Sequence, residues 1–262
     1  MRLEQLFETK KKRILNVYCT AGFPHADSTL QVMKSLQESG ADMIEIGMPY
    51  SDPLADGPVI QASSAKAIAN GMTMQKLFNQ LKDFRKEITV PVILMGYMNP
   101  VLQYGFEKFC ATASAVGIDG LILPDLPMHE YETEYAPIIN KYRLKFVFLV
   151  TPETSEERIK KLDALSTGFL YAVSSSSTTG NEKSLQQQVD YFKKLESMNL
   201  KNPVLIGFGI KDKETFDTAC LHANGAIIGT AYIRAIEKAQ SNGMAASSIA
   251  TITKEFIHGI VG

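Results

Sequence analysis

The sequence predicts an α/β protein of the (β/α)8 TIM barrel class, with an extra helix before the first strand and further helices inserted after the second. Three observations carry this. Eight short apolar runs recur along the chain, segments of helical periodicity separate them, and most of the runs are apolar on both faces, as a helix-covered parallel sheet requires. A length of 262 residues suits one such barrel, so a single domain over residues 1–262 is expected. An open doubly wound sheet shares the local pattern, but it usually has fewer strands and often a glycine-rich turn after the first. Here that turn is TAGFPHADS, with one glycine and one proline.

The elements follow in order. MRLEQLFETKKKRIL is charged and amphipathic, without the apolar core of a signal peptide, and reads as the leading helix of a chain that begins near Met1. ILNVYCT (14–20) is the first strand, and Asp27 and Ser28 then open the helix TLQVMKSLQESG, which ends at a glycine. DMIEIG (42–47) is the second strand. Between Gly47 and Pro91 lie two helices, QASSAKAIANG and MQKLFNQLKDFRKE. PVILMGY (91–97), DGLILPD (119–125) and LKFVFLV (144–150) follow as strands, and Ser155 opens SEERIKKLDAL. GFLYAV (168–173), PVLIGF (203–208) and GAIIG (225–229) complete the eight.

The charges nearly cancel, 27 basic against 28 acidic, and no basic block exceeds KKKR at 10–13, so no nucleic-acid partner is expected. Cys19, Cys110 and Cys220 form neither a disulfide framework nor a CxxC pair, which points to the cytoplasm. No run approaches the roughly 20 apolar residues of a membrane span. His25, His129, His222 and His258 show no HExxH or clustered ligand spacing, and no serine sits in a GxSxG elbow, so neither a metal site nor a serine nucleophile is expected. Carboxylate acid/base chemistry on a phosphorylated small molecule is what remains.

In a parallel barrel the C-terminal strand ends and the loops after them build the site. Glu45 stands near that end of the second strand, where alternation places Met43, Glu45 and Gly47 on one face and Ile44 and Ile46 on the other. An unpaired carboxylate in a dry interior costs several kcal/mol or takes up a proton, so Glu45 needs a partner or a task. A structural ion pair at the rim is the alternative to catalysis. The loop PYSDPLADGP, stiffened by Pro49, Pro53 and Pro58, carries Asp52 and Asp56, each of which would alone read as a turn former. Gly207, Gly209 and Gly229 with Thr230, after the last two strands, suit a phosphate cradle. SSSSTTG (174–180) reads either as a lid or as a plain flexible loop. Asp125, in LPDLP, is a further rim acid of either structural or functional use.

Along essentially its whole length, through TAGFP, IEIGMPYSDPLADGP, LMGYMNP, DGLILPDLP, STTG, GFGI and IIGTA, the chain resembles the α subunits of tryptophan synthase. A strand glutamate followed by SDPLADGP is specific to that family. The resemblance implies cleavage of indole-3-glycerol phosphate to indole and glyceraldehyde 3-phosphate. It makes Glu45 the acid/base that moves protons between the glycerol hydroxyl and indole C3, and Asp56 the charged group that binds the indole N–H. It also implies substrate contacts from Thr179, phosphate contacts from Gly180, Phe208, Gly209, Gly229 and Thr230, Tyr171 beside the acids, and Tyr18, Met95 and Ile122 around the indole.

The expected partner is a β subunit in an α2β2 assembly, met by the loop around Asp52 and Pro53, with pyridoxal phosphate expected only in that partner and no cofactor in this chain. The sequence departs from the family at Ser175 and Ser177, where Arg and Gly are frequent, and at Thr230, where Ser is frequent. Another phosphate-sugar barrel, or a catalytically silent activator of the β subunit, are the alternatives.

Overall fold

The computed structural model describes residues 1–173, 185–207, 209–241 and 248–262. Its strands are β1 (Ile14–Thr20), β2 (Met43–Gly47), β3 (Val92–Met95), β4 (Gly120–Ile122), β5 (Lys145–Phe146), β6 (Phe148–Val150), β7 (Leu170–Val173), β8 (Val204–Gly207) and β9 (Gly225–Ile228). They form one parallel sheet in the order β5-β4-β3-β2-β1-β9-β8-β7-β6. The two ends of that order, β5 and β6, are consecutive in the chain. The sheet therefore returns on itself as a barrel.

The stretch 144–150, read from sequence as one strand, is split because its two halves pair, both parallel, with different neighbours. Lys145 and Phe146 are in register with Gly120 and Leu121 of β4, whereas Phe148 is in register with Leu170 of β7. At the join, the Val147 amide still donates to Leu121 (3.1 Å), while the Phe148 amide is taken by Ser166 Oγ at 3.2 Å. Phe146, Phe148 and Tyr131 pack there with ring centroids 4.5 to 4.9 Å apart. Aromatic packing fills the space where the strands diverge.

Every residue of β1, β2, β3, β7 and β9 is buried, the two-sided burial that the apolar runs predict. The leading helix, Arg2–Thr9, buries Leu3 and Phe7. Its Arg2 bonds Asp119 just before β4 at 3.0 Å, and Phe7 packs on Phe169 just before β7 with centroids 6.1 Å apart. It thus covers the N-terminal ends of the strands.

The insertion between β2 and β3 is a helix over Pro58–Ala69, a second over Met74–Gln80 and a 3₁₀ turn over Leu81–Lys86. Pro58 starts the first helix, where a missing N–H costs nothing, and Thr73 Oγ1 accepts the Lys76 amide at the start of the second. Ser155 caps Glu156–Leu165 by accepting the Arg158 amide at 3.3 Å. Ser28 does precede the helix Thr29–Glu38, but its hydroxyl accepts from the His25 amide in the preceding turn.

Candidate active site

At the C-terminal ends of the strands a cavity of about 240 Å³ opens between the two acids. Glu45 of β2 enters it from the wall and Asp56 from the following loop. Tyr18, Met95 and Tyr171 supply the sides, with Ile60 and Ile210, and Gly209, Gly229 and Thr230 stand at one end. Thr230 begins the helix Thr230–Ser241, so the amides of its first turn lie at this end. A larger cavity, about 710 Å³, runs beside the loops at 123–128 and 151–154 and contains neither acid. Both candidate acids line the smaller one.

Glu45 is 1% exposed, and its Oε2 accepts a hydrogen bond of 2.9 Å from Asn16 Nδ2. Burial pushes its carboxyl up to about 8, an effect the Asn16 bond opposes and the negative charge of Asp56 reinforces. Asp56 is also pushed up by burial, to about 6, against the hydrogen bond it accepts from Tyr97 Oη at 3.0 Å. At neutral pH, Glu45 therefore holds a proton while Asp56 is mainly ionised. Two carboxyls in one cavity with separated protonation are suited to different steps of one proton-transfer reaction.

The family profile described as "Tryptophan synthase alpha chain" matches residues 4–260. The chain belongs to this family. It is 49% identical over 237 residues to the tryptophan synthase alpha chain of Parabacteroides distasonis, covering 90% of this chain and 92% of the relative. That of Flavobacterium johnsoniae is 51% identical over 241 residues, covering 92% and 95%. Among solved structures, the alpha chain from Legionella pneumophila superposes with a TM-score of 0.87 at 32% identity, covering 99% of this chain and 97% of that one. A chain of tryptophan synthase from M. tuberculosis, in its aminoacrylate-bound form, gives 0.83 at 28% identity, with 99% of each covered.

Of the residues that the resemblance to tryptophan synthase α subunits singled out, Tyr18, Glu45, Asp56, Met95, Tyr171, Gly209, Gly229 and Thr230 all line the cavity. Ile122 is fully buried in register with Met95 and is not among the residues that line the cavity. Gly207 lies under the Tyr171 ring, and Gly47 under the ring of Tyr18. A Cβ added at Gly47 would fall 1.9 Å from Tyr18 Oη, and one at Gly207 2.3 Å from Tyr171 Oη. Gly47→Ala is accordingly expected to displace Tyr18, costing about 1–3 kcal/mol of stability and at least about tenfold in turnover. Thermal unfolding and a rate assay check this, and a variant unchanged in both would contradict it. Thr179, Gly180, Phe208, Ser175 and Ser177 lie outside the described residues.

Asp125, an acid of open purpose in the sequence, accepts the Met98 amide through both carboxylate oxygens at 3.0 Å, anchoring the start of the helix Met98–Tyr104. Asp52 is exposed, but Pro53 is buried within this chain, and Leu54 after it is 86% exposed. The apolar tip of the loop is therefore Leu54.

Two residues escaped the sequence reading. Tyr97, 6% exposed, accepts the Ala55 amide at 3.0 Å while donating to Asp56, and so holds the acid and its backbone together. Asn16 stands inside the barrel below Glu45. Its signal was present in ILNVYCT: a strongly polar side chain in a strand otherwise read as buried, which is the criterion that found Glu45. Among the described residues no group of three or more His, Cys, Asp or Glu could hold a metal ion, and no helix is long and apolar enough to cross a membrane.

Proposed function

We propose that this chain is the α subunit of a tryptophan synthase, a lyase that splits indole-3-glycerol phosphate into indole and glyceraldehyde 3-phosphate for a β subunit in an α2β2 assembly. The meeting of Glu45 and Asp56 in one barrel-mouth cavity, where burial raises Glu45 further than Asp56, is the observation that supports it most directly.

The phosphate is received at Gly209, Gly229 and Thr230, where the first amides of the helix Thr230–Ser241 present positive partial charge. The indole ring occupies the space between Tyr18, Met95 and Tyr171. Glu45 gives its proton to indole C3, and Asp56, held by Tyr97, accepts the indole N–H and stabilises the positive charge that this creates on the ring. The ionised Glu45 then takes the proton of the glycerol hydroxyl beside the scissile bond. As the carbonyl forms, the C–C bond breaks and its electron pair returns to the ring, so that Glu45 ends as it began. In this reading pyridoxal phosphate serves the β subunit, and the carboxyls of this chain carry its own half-reaction.

The partner would dock on the loop of Asp52 and Leu54. Asn99, on the helix Met98–Tyr104, bonds Tyr50 at 2.9 Å, and the same helix presents Leu102, 50% exposed, as a further apolar contact. Because Tyr97 joins Ala55 to Asp56, pressure on this loop reaches the acid directly. Incubating the purified chain with indole-3-glycerol phosphate, with and without a β subunit, tests both statements. Indole should form in each case and faster with the partner. No indole in either would remove the function, and equal turnover would remove the coupling.

A further inference from the structure

Asn16 is fully buried in β1, in register with Met43 on one side and Ile227 on the other. Alternation along β1 turns Ile14, Asn16, Tyr18 and Thr20 to one face, and Tyr18 is the register partner of Glu45. Asn16 thus occupies the layer next below the acid, among apolar neighbours. Its Nδ2 donates to Glu45 Oε2 at 2.9 Å, while its Oδ1 is buried with no hydrogen-bond partner among the described residues. A buried amide oxygen left in this condition costs stability, and an aliphatic side chain would fill this layer without that cost. Among the described residues, the bond to Glu45 is the hydrogen bond that the Asn16 side chain makes.

We infer that Asn16 is a positioning residue for the cleavage reaction: by holding Glu45 Oε2 from below, it fixes the carboxyl in one orientation and leaves Oε1 as the oxygen that gives and takes the proton. This rests on the proposed lyase function. The bond matters most when Glu45 is ionised, midway through turnover, because a carboxylate buried this deeply is poorly hydrated and a charge-assisted donor is worth more than a neutral one.

The titratable groups around Glu45 are Asp56, Tyr18, Tyr171 and Cys19. Burial holds both tyrosines well above their ordinary value and pushes the Cys19 thiol up to about 12. Asp56 is therefore the neighbour in this set that changes charge near neutrality.

The test compares Asn16→Leu and Asn16→Val, which lack the donor at two sizes, with Asn16→Thr, which has the shape of the Val variant and restores a hydroxyl. Two quantities are read: the Glu45 midpoint, by 13C NMR of glutamate-labelled protein assigned through the signal that Glu45→Gln removes, and kcat and KM for indole-3-glycerol phosphate. In Leu or Val, whichever is folded by circular dichroism, the midpoint should rise by about one to two pH units. Turnover should fall about tenfold with KM within about twofold, because the lost group acts through Glu45 and does not touch substrate. Thr should bring the midpoint back toward wild type relative to Val. A wild-type midpoint in the donor-less variants overturns the inference, whatever the rates do. Failure of the unmodified chain to cleave the substrate would instead remove the proposed function, and the midpoints would still decide what Asn16 does to Glu45.

Discussion

Replacing Glu45 by Gln is expected to lower indole-3-glycerol phosphate cleavage by about 10²–10⁴-fold, the usual contribution of a positioned acid/base, while raising the stability of the fold at alkaline pH. Gln keeps the volume and can still accept from Asn16, so the barrel has no reason to rearrange. The stability gain follows from the direction of the pKa change. A carboxyl pushed up to about 8 by burial keeps its proton between its unfolded value of about 4.5 and 8, where the unfolded chain has released it. The native state then binds more protons than the unfolded state, and stability falls as pH rises through that window. At about 1.4 kcal/mol per pH unit, the lost stability amounts to a few kcal/mol once pH 8 is passed. Denaturant unfolding of wild type and Glu45→Gln at pH 5 and pH 8.5 measures it. The two proteins should differ little at the lower pH and clearly at the higher, and equal stability at both would show that Glu45 is not held protonated by its surroundings.

Asp56→Asn is expected to cost about 10²–10³-fold in kcat, the scale found when one preorganised electrostatic contact to developing charge is removed. Asn would keep the bond from Tyr97 and fit the same space, but it carries no charge to set against a positive indole ring. Because burial lifts Asp56 to about 6, wild-type cleavage should decline as pH falls through that value, as the acid takes up a proton and becomes the neutral group that Asn imitates. A pH–rate profile of both proteins checks this. The acidic decline should be present in wild type and lost, or much weakened, in the variant. A variant with wild-type kcat at pH 8 would remove the charge-stabilising role of Asp56.

The strands were legible because burial on two faces leaves continuous apolar runs, and Glu45 stood out because a charge in such a run needs a cause. The division of 144–150 was not legible, since it depends on which neighbour each half pairs with, and β4 and β7 are far apart in the chain. Asp125 shows the same limit. Its partner, the Met98 amide, is 27 positions away, and no local pattern reveals that both carboxylate oxygens are engaged.

Tyr97 escaped for a related reason, because a tyrosine following a strand reads as core until its hydroxyl is seen to join Ala55 to Asp56. For Asp56, the family resemblance implied a charged acid. Burial makes the charge conditional on pH, and burial of a loop side chain is a property of the assembled site.

The break at Val147 also bears on how the molecule holds its shape. The wall can be divided into two leaves, strands β1–β5 and β6–β9, joined by the pairing of β1 with β9 and, on the opposite side, by the continuous chain through Val147 and the bonds beside it. Along that second line the Thr167 amide donates to the Phe146 carbonyl at 2.9 Å and the Phe146 amide to Thr167 Oγ1 at 2.8 Å. The eight-residue helix at the start of the chain lies across it: Arg2 and Glu4 bind Asp119 and Lys145 on the first leaf, and Leu3 and Phe7 reach Gly168 and Phe169 on the second. A segment that looks like an appendage in the sequence thus serves as a clasp, and the rigidity needed to keep two acids aligned at one end of the barrel is secured in part at the other.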